Sequence, residues 1–222
     1  RYTARFVIDT SGVLANPHIP DINGAETFKG PKFHSGHWDH SVAHDGKRVG
    51  VIGSGCSAAQ IVPAIAGKVS RLTLFMGKAQ WILPRSDRHY GAVERFVRTL
   101  PGVRHIIRLL VFVFYDIRFI AFRRYPGISG IGQLMKSHYR RRLKKHLDKY
   151  IKDDKLRQHM MPDYELGCRR VIPTNTYLPA LSLDNVDVDI SGIECITPQG
   201  IRTKDGKEIR LDIIVYATGY FA

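Results

Sequence analysis

Six consecutive residues, Gly53-Ser54-Gly55-Cys56-Ser57-Ala58, are small enough to let a phosphate approach the main chain, and they spell GxGxxA. Gly53 permits a tight turn, Gly55 lets the backbone approach a pyrophosphate, and Ala58 lets a helix pack closely on the preceding strand. Unpaired N–H groups and the dipole at a helix N-terminus favour an anion at that point. The chemistry is dinucleotide binding, provided a strand ends near Ile52 and a helix starts near Ser57. An NAD-type site carries Asp or Glu about 20 residues past the loop, on the ribose hydroxyls. Here Phe75-Met76-Gly77-Lys78 stands in that place and the next acid is Asp87. Lys78 offers a cation to a 2′-phosphate, so the spacing favours NADPH over NADH. Cys56 reads as a small loop residue rather than a redox thiol.

Other reactive side chains form weaker patterns. His34, His37, His40 and His44 lie close in sequence, but no cysteine or ordered carboxylate set completes a site, so they read as a His-rich linker with no metal. No GxSxG elbow is present. The three cysteines, Cys56, Cys168 and Cys195, are odd in number and far apart. They imply neither a disulfide framework nor a CxxC metal site, and they suit a reducing compartment such as the cytoplasm.

The elements that must position the loop follow from periodicity. Residues 47–52 read as an apolar strand, 57–66 as a helix containing Pro63, and 71–76 as the next strand. This is a βαβ unit. Residues 1–15 read as a strand ending at Ser11-Gly12, and 16–45 as loop. Residues 91–158 have apolar side chains at helical spacing. Pro101, Pro126 and the glycines of 127–132 divide this stretch into at least three pieces, and it reads as a helical insertion. Residues 159–180 are loop-rich. Residues 186–190, 192–197, 201–203 and 208–215 read as short strands, with Asp205-Gly206 as a hairpin turn. The fold class is α/β: a Rossmann-like dinucleotide-binding domain with a helical insertion.

The chain of 222 residues carries a net charge of +14, concentrated in residues 95–124 and 136–155. The densest run, Tyr139-Arg140-Arg141-Arg142-Leu143-Lys144-Lys145-His146, reads as the solvated face of a helix. No zinc-finger or RNP-type motif accompanies it, so no specific nucleic-acid partner is expected. Peripheral contact with a membrane stays open. The most apolar region, residues 106–122, has an uncharged run of only seven residues, 109–115. A spanning helix needs ~20.

Phe28-Lys29-Gly30-Pro31-Lys32-Phe33-His34-Ser35-Gly36-His37-Trp38-Asp39 reads FxGxxxHxxxWD just before the dinucleotide loop. This resembles the fingerprint of type I Baeyer–Villiger monooxygenases. Flavin-containing monooxygenases are similar but carry Tyr or Phe where this chain has Trp38-Asp39. The resemblance continues through Gly12-Val13-Leu14-Ala15-Asn16-Pro17-His18-Ile19-Pro20, Trp81-Ile82-Leu83-Pro84-Arg85, Gly167-Cys168-Arg169-Arg170, Tyr177-Leu178-Pro179-Ala180-Leu181 and the Ala-Thr-Gly segment at 217–219.

It implies an FAD- and NADPH-dependent enzyme that inserts one atom of O2 into a ketone or a soft heteroatom through a C4a-peroxyflavin. It implies Arg170 as the active-site arginine and Arg169 as a cation on the NADP 2′-phosphate. It implies Phe28, Gly30, His34, Trp38 and Asp39 as a linker that reorganises with NADP. On this resemblance 1–45 is the end of a flavin domain with the fingerprint linker, 46–90 the NADP-binding βαβ unit, 91–158 the insertion, and 159–222 the return to the flavin domain. Two departures stand out. Met76-Gly77-Lys78-Ala79 replaces the arginine-bearing stretch after the second NADP strand, which shifts phosphate recognition towards Lys78 and Arg169. No flavin-type GxGxxG stands near the start, so this chain alone is expected to be inactive. A non-catalytic NADP-binding module and a basic helical membrane- or RNA-associating protein are the alternative readings.

Overall fold

The structure is a computed structural model that describes residues 3–8, 12, 14–85, 87–120 and 129–221, with the backbone alone at 118–120 and 129–131. In chain order the elements are β1 (Lys32–His34), β2 (Arg48–Ile52), α1 (Cys56–Ile65), β3 (Arg71–Phe75) and β4 (Ile82–Leu83). Helices α2 (Ala92–Thr99), α3 (Pro101–Ile120), α4 (Ser129–Tyr150) and α5 (Asp154–His159) follow. The chain continues with β5 (Ile172–Pro173), α6 (Tyr177–Leu181), β6 (Val186–Asp189), β7 (Ile193–Thr197), β8 (Gly200–Thr203), β9 (Glu208–Arg210) and β10 (Ile213–Tyr216).

Five strands form one parallel sheet in the order β1-β10-β2-β3-β6. From β2 the chain steps outward through β3 to β6, then returns to the other side of β2 as β10. The direction of winding therefore reverses between β2 and β10, and in open α/β sheets ligands bind in the crevice at the carboxyl ends of such a pair. Strands buried on both faces are apolar on both. Val49, Val51, Leu72, Leu74, Ile213 and Val215 turn to the core shared with α1, α4 and α6. Ile52, Phe75, Ile214 and Tyr216 turn the other way, onto Phe28, Ile196, Ile201 and Leu211. Ile196 and Ile201 come from the antiparallel sheet β7-β8-β9.

Three expectations need correction. Residues 3–8 form no strand: among the described residues they pair with no strand of the parallel sheet, and Phe6, Val7 and Ile8 are exposed, with no core to bury them. The rest of that segment, and Pro126 with residues 127 and 128, lie outside the described residues. Residues 91–158 are divided into separate helices as expected, but Gly130 and Gly132 fall just inside the start of α4 rather than at the division. Tyr139, Leu143 and Leu147 form the buried stripe that holds α4 in place. Within the loop-rich stretch, Tyr177, Leu178, Ala180 and Leu181 are buried on the short helix α6. The basic run of 139–146 is, as expected, the solvent face of α4: Arg140, Arg141, Lys144 and Lys145 are exposed around that stripe. Among the described residues no helix is long and apolar enough to cross a membrane.

Candidate dinucleotide and active site

The loop from 53 to 58 runs from the carboxyl end of β2 into α1, at the crevice between β2 and β10. Gly53 has φ of +121°, a conformation that L side chains rarely adopt, and a Cβ there would collide with the Ala217 carbonyl oxygen. Its N–H donates to the Phe75 carbonyl at 3.0 Å. Gly55 is different: a Cβ there would meet nothing within 4 Å. It caps α1 without a side-chain hydrogen bond, which leaves the first-turn N–H groups without a side-chain cap. Ala58 is fully buried. Cys56 is exposed and Ser57 partly so.

The segment after β3 is tied to this loop. Ser54 Oγ donates to the Lys78 carbonyl at 2.6 Å, while the Lys78 side chain is exposed. Tyr164 Oη donates to the Ala79 carbonyl at 2.9 Å. Burial pushes the Tyr164 phenol above its ordinary pKa, which keeps it a donor. The Arg169 guanidinium lies over the Tyr164 ring, 5.0 Å from its centroid. Lys78 and Arg169 are thus fastened to the same stretch of backbone, although 91 positions separate them in the chain.

Arg170 is exposed and has no ion-pair partner among the described residues. It leads into β5, whose pairing with β4 sets Ile172 beside Ile82 and Pro173 beside Leu83. The Asn175 side chain extends that pairing, accepting from the Arg85 N–H at 2.9 Å and donating to the Arg85 carbonyl at 2.8 Å. A cleft of about 520 Å³ separates this ladder from α1. Cys56 and Gln60 line one wall, and Val171 and Thr174 the other.

The fingerprint residues other than the exposed Asp39 are packed rather than loose. His34 is 2% exposed at the carboxyl end of β1. Its Nδ1 accepts from the Gly36 N–H at 3.0 Å, so the proton belongs on Nε2. Burial pushes the His34 pKa down, partly offset by the Gly219 backbone. The ring stands edge-on to Tyr220 at 5.2 Å. Gly30 leaves room for the Asp212 carbonyl and the Phe28 ring. Trp38 packs on Phe33 at 5.0 Å. Asp39 Oδ1 accepts from the Ser41 N–H at 2.9 Å and its hydroxyl at 2.6 Å, which holds its carboxyl below the ordinary range. Among the described residues no three His, Cys, Asp or Glu side chains converge on a metal position.

Residues 3–100, which hold both the fingerprint and the dinucleotide loop, match the family described as flavin-binding monooxygenase-like. That part of the chain is similar to the family. The chain is 39% identical over 219 residues to a Baeyer–Villiger monooxygenase of Streptomyces coelicolor, spanning 98% of the chain and 41% of that relative. It is 38% identical over 222 residues to a Baeyer–Villiger monooxygenase of Pseudomonas aeruginosa, again across 41% of the relative. The chain therefore spans about two fifths of the length of these curated relatives. A structure of OTEMO complexed with FAD and NADP superimposes with a TM-score of 0.74 at 26% identity, covering 96% of this chain and 46% of that one. The open crystal structure of cyclohexanone monooxygenase shares the fold, with a TM-score of 0.75 at 22% identity over 95% of this chain and 47% of that one.

Sequence reasoning missed Asp212, His159 and Tyr164. Asp212 clips the start of β10 to Arg48, with Arg48 Nη2 donating to Oδ1 at 2.6 Å and the Arg48 N–H to Oδ2 at 2.8 Å. That pair is separated by 164 positions, and no local pattern signals it.

Proposed function

We propose that the protein containing this chain is a cytoplasmic FAD- and NADPH-dependent monooxygenase. It would insert one oxygen atom of O2 into a ketone, giving an ester or lactone, or into a soft heteroatom. The observation that carries the reading is the joining of Lys78 and Arg169 to one turn, beside a dinucleotide loop at the reversal point of a parallel sheet. Open space in front of Gly55 fits a pyrophosphate, which would take hydrogen bonds from the N–H groups of Ser54, Gly55, Cys56, Ser57 and Ala58, with Gly53 making the turn that brings them there. Lys78 and Arg169 would hold the 2′-phosphate, which an acid in their place would repel. The buried His34, the packing of Phe28, Gly30 and Trp38, and the Asp39 carboxyl held by Ser41 support the linker role of the fingerprint.

The flavin, when bound, supplies the activation and transfer of oxygen. Arg170 does the electrostatic work of this chain. A guanidinium stays protonated at every working pH, and one with no carboxylate partner keeps its full charge for the substrate. It would stabilise negative charge developing on oxygen during transfer. Residues 1–45 would end the flavin domain and form the linker, 46–90 the NADP-binding unit, 91–158 the insertion, and 159–222 the return.

Arg170→Ala in the full-length protein is expected to keep flavin reduction by NADPH and to lose oxygenated product by about 100-fold or more, the scale for removal of one oriented electrostatic group. Stopped-flow flavin absorbance and product chromatography separate the two steps. Ordinary product formation by that variant would overturn the role of Arg170.

A further inference from the structure

Three consecutive carbonyls after β3 each accept from a side chain of a different element. The Gly77 carbonyl takes a hydrogen bond from His159 Nε2, at the end of α5, at 2.8 Å. Ser54 Oγ, in the dinucleotide loop, donates to the Lys78 carbonyl at 2.6 Å. Tyr164 Oη donates to the Ala79 carbonyl at 2.9 Å. Gly77 and Lys78 are exposed, and the Cβ position of Gly77 is empty space, so that part of the turn has little packing to hold it. Outside hydrogen bonds must therefore satisfy and fix its backbone. Lys78 is exposed and has no anionic partner among the described residues. Tyr164 does a second task, because its face carries the Arg169 guanidinium.

We infer that His159 and Tyr164 are positioning residues for dinucleotide selectivity. They clamp the Gly77-Lys78-Ala79 turn so that Lys78 and Arg169 act together on a phosphate at the 2′ position. The inference rests on the reading of Lys78 and Arg169 given above. A flexible lysine and a flexible arginine each lose freedom on binding an anion, and a backbone already held in place leaves less to lose. Neither His159 nor Tyr164 needs to touch the dinucleotide. Removing the clamp should weaken NADPH binding and leave NADH binding nearly as it was, because NADH has no 2′-phosphate to read.

The test compares KM for NADPH and NADH in the full-length protein carrying its flavin. Tyr164→Phe keeps the ring under Arg169 and removes the hydroxyl. It should raise KM for NADPH about fivefold, the scale of one lost hydrogen bond, and lower the selectivity ratio by the same factor. Tyr164→Leu, which also removes the platform, should lower the ratio further. His159→Ala should lower it, and His159→Gln, whose amide can still donate to the Gly77 carbonyl, should restore most of it. A merely structural role would move both dinucleotides equally, and a ratio unchanged in Tyr164→Phe and His159→Ala overturns the inference. A wild-type protein that does not favour NADPH at all overturns the underlying reading of Lys78 and Arg169, and the clamp with it.

Discussion

The two glycines of the loop have opposite jobs, and substitution should separate them. At Gly53 a methyl group meets the Ala217 carbonyl in a positive-φ conformation. Strain of that kind costs on the order of 1–3 kcal/mol before the clash is counted, so Gly53→Ala should lower stability by at least that much. At Gly55 the methyl meets no protein atom. Gly55→Ala should leave the melting temperature within a few degrees of wild type while weakening NADPH binding severely. Thermal unfolding and NADPH titration on both variants check this, and a Gly55→Ala variant that binds normally would show that the pyrophosphate lies elsewhere. The GxGxxA pattern was legible in the sequence, whereas the carbonyl that enforces Gly53 comes from 164 positions later.

Among elements, β10 is the one whose placement matters most. Its strand character was legible at 208–215, but the sequence read as a continuous set of short strands there. The structure divides it: β9 joins the antiparallel sheet, and β10 enters the parallel sheet between β1 and β2. Asp212 makes the division. Its bonds to Arg48 hold the carboxyl down at about 2, with the Arg48 side chain the largest cause. A depressed carboxylate contributes stability that is complete above its ordinary pKa near 4 and is lost as the pH falls towards 2. Asp212→Asn should therefore destabilise the fold by about 1 kcal/mol at neutral pH, a figure discounted for the partial exposure of the pair. The gap from wild type should close between pH 4 and pH 2. Urea unfolding across that range reads it out, and a gap independent of pH would assign the effect to packing instead.

At the scale of the molecule, the sheet draws strands from early, middle and late parts of the chain. The late strand β10 is central, and every one of its residues is buried. Truncation after Arg210 should therefore remove more than a tail. The remaining chain would expose the β1 and β2 edges along with Val49 and Val51, and it should lose its cooperative thermal transition by circular dichroism. A truncated chain that still melts cooperatively would mean that β2, α1 and β3 are stable without β10. The insertion follows another logic. α4 packs through one stripe, whereas α3 leaves Leu109, Leu110, Phe112 and Tyr115 more than 60% exposed. Helical periodicity predicts both helices equally well, because periodicity reports a helix and not what covers it.

The sequence by itself determined the local features: the βαβ unit, the glycine loop, the helical insertion and the fingerprint. Each depends on side-chain size and spacing within a few turns of chain, which is the range over which sterics and hydrophobic periodicity act. Only the tertiary structure decided which distant residues meet. The strand order, the Arg48–Asp212 clip, the β4–β5 ladder leading from Arg170, and the hydrogen bonds of Ser54, His159 and Tyr164 to one turn all join positions remote in the chain. Those contacts arise from burying a shared core and satisfying buried backbone groups, and neither leaves a periodic trace in the residues that make them.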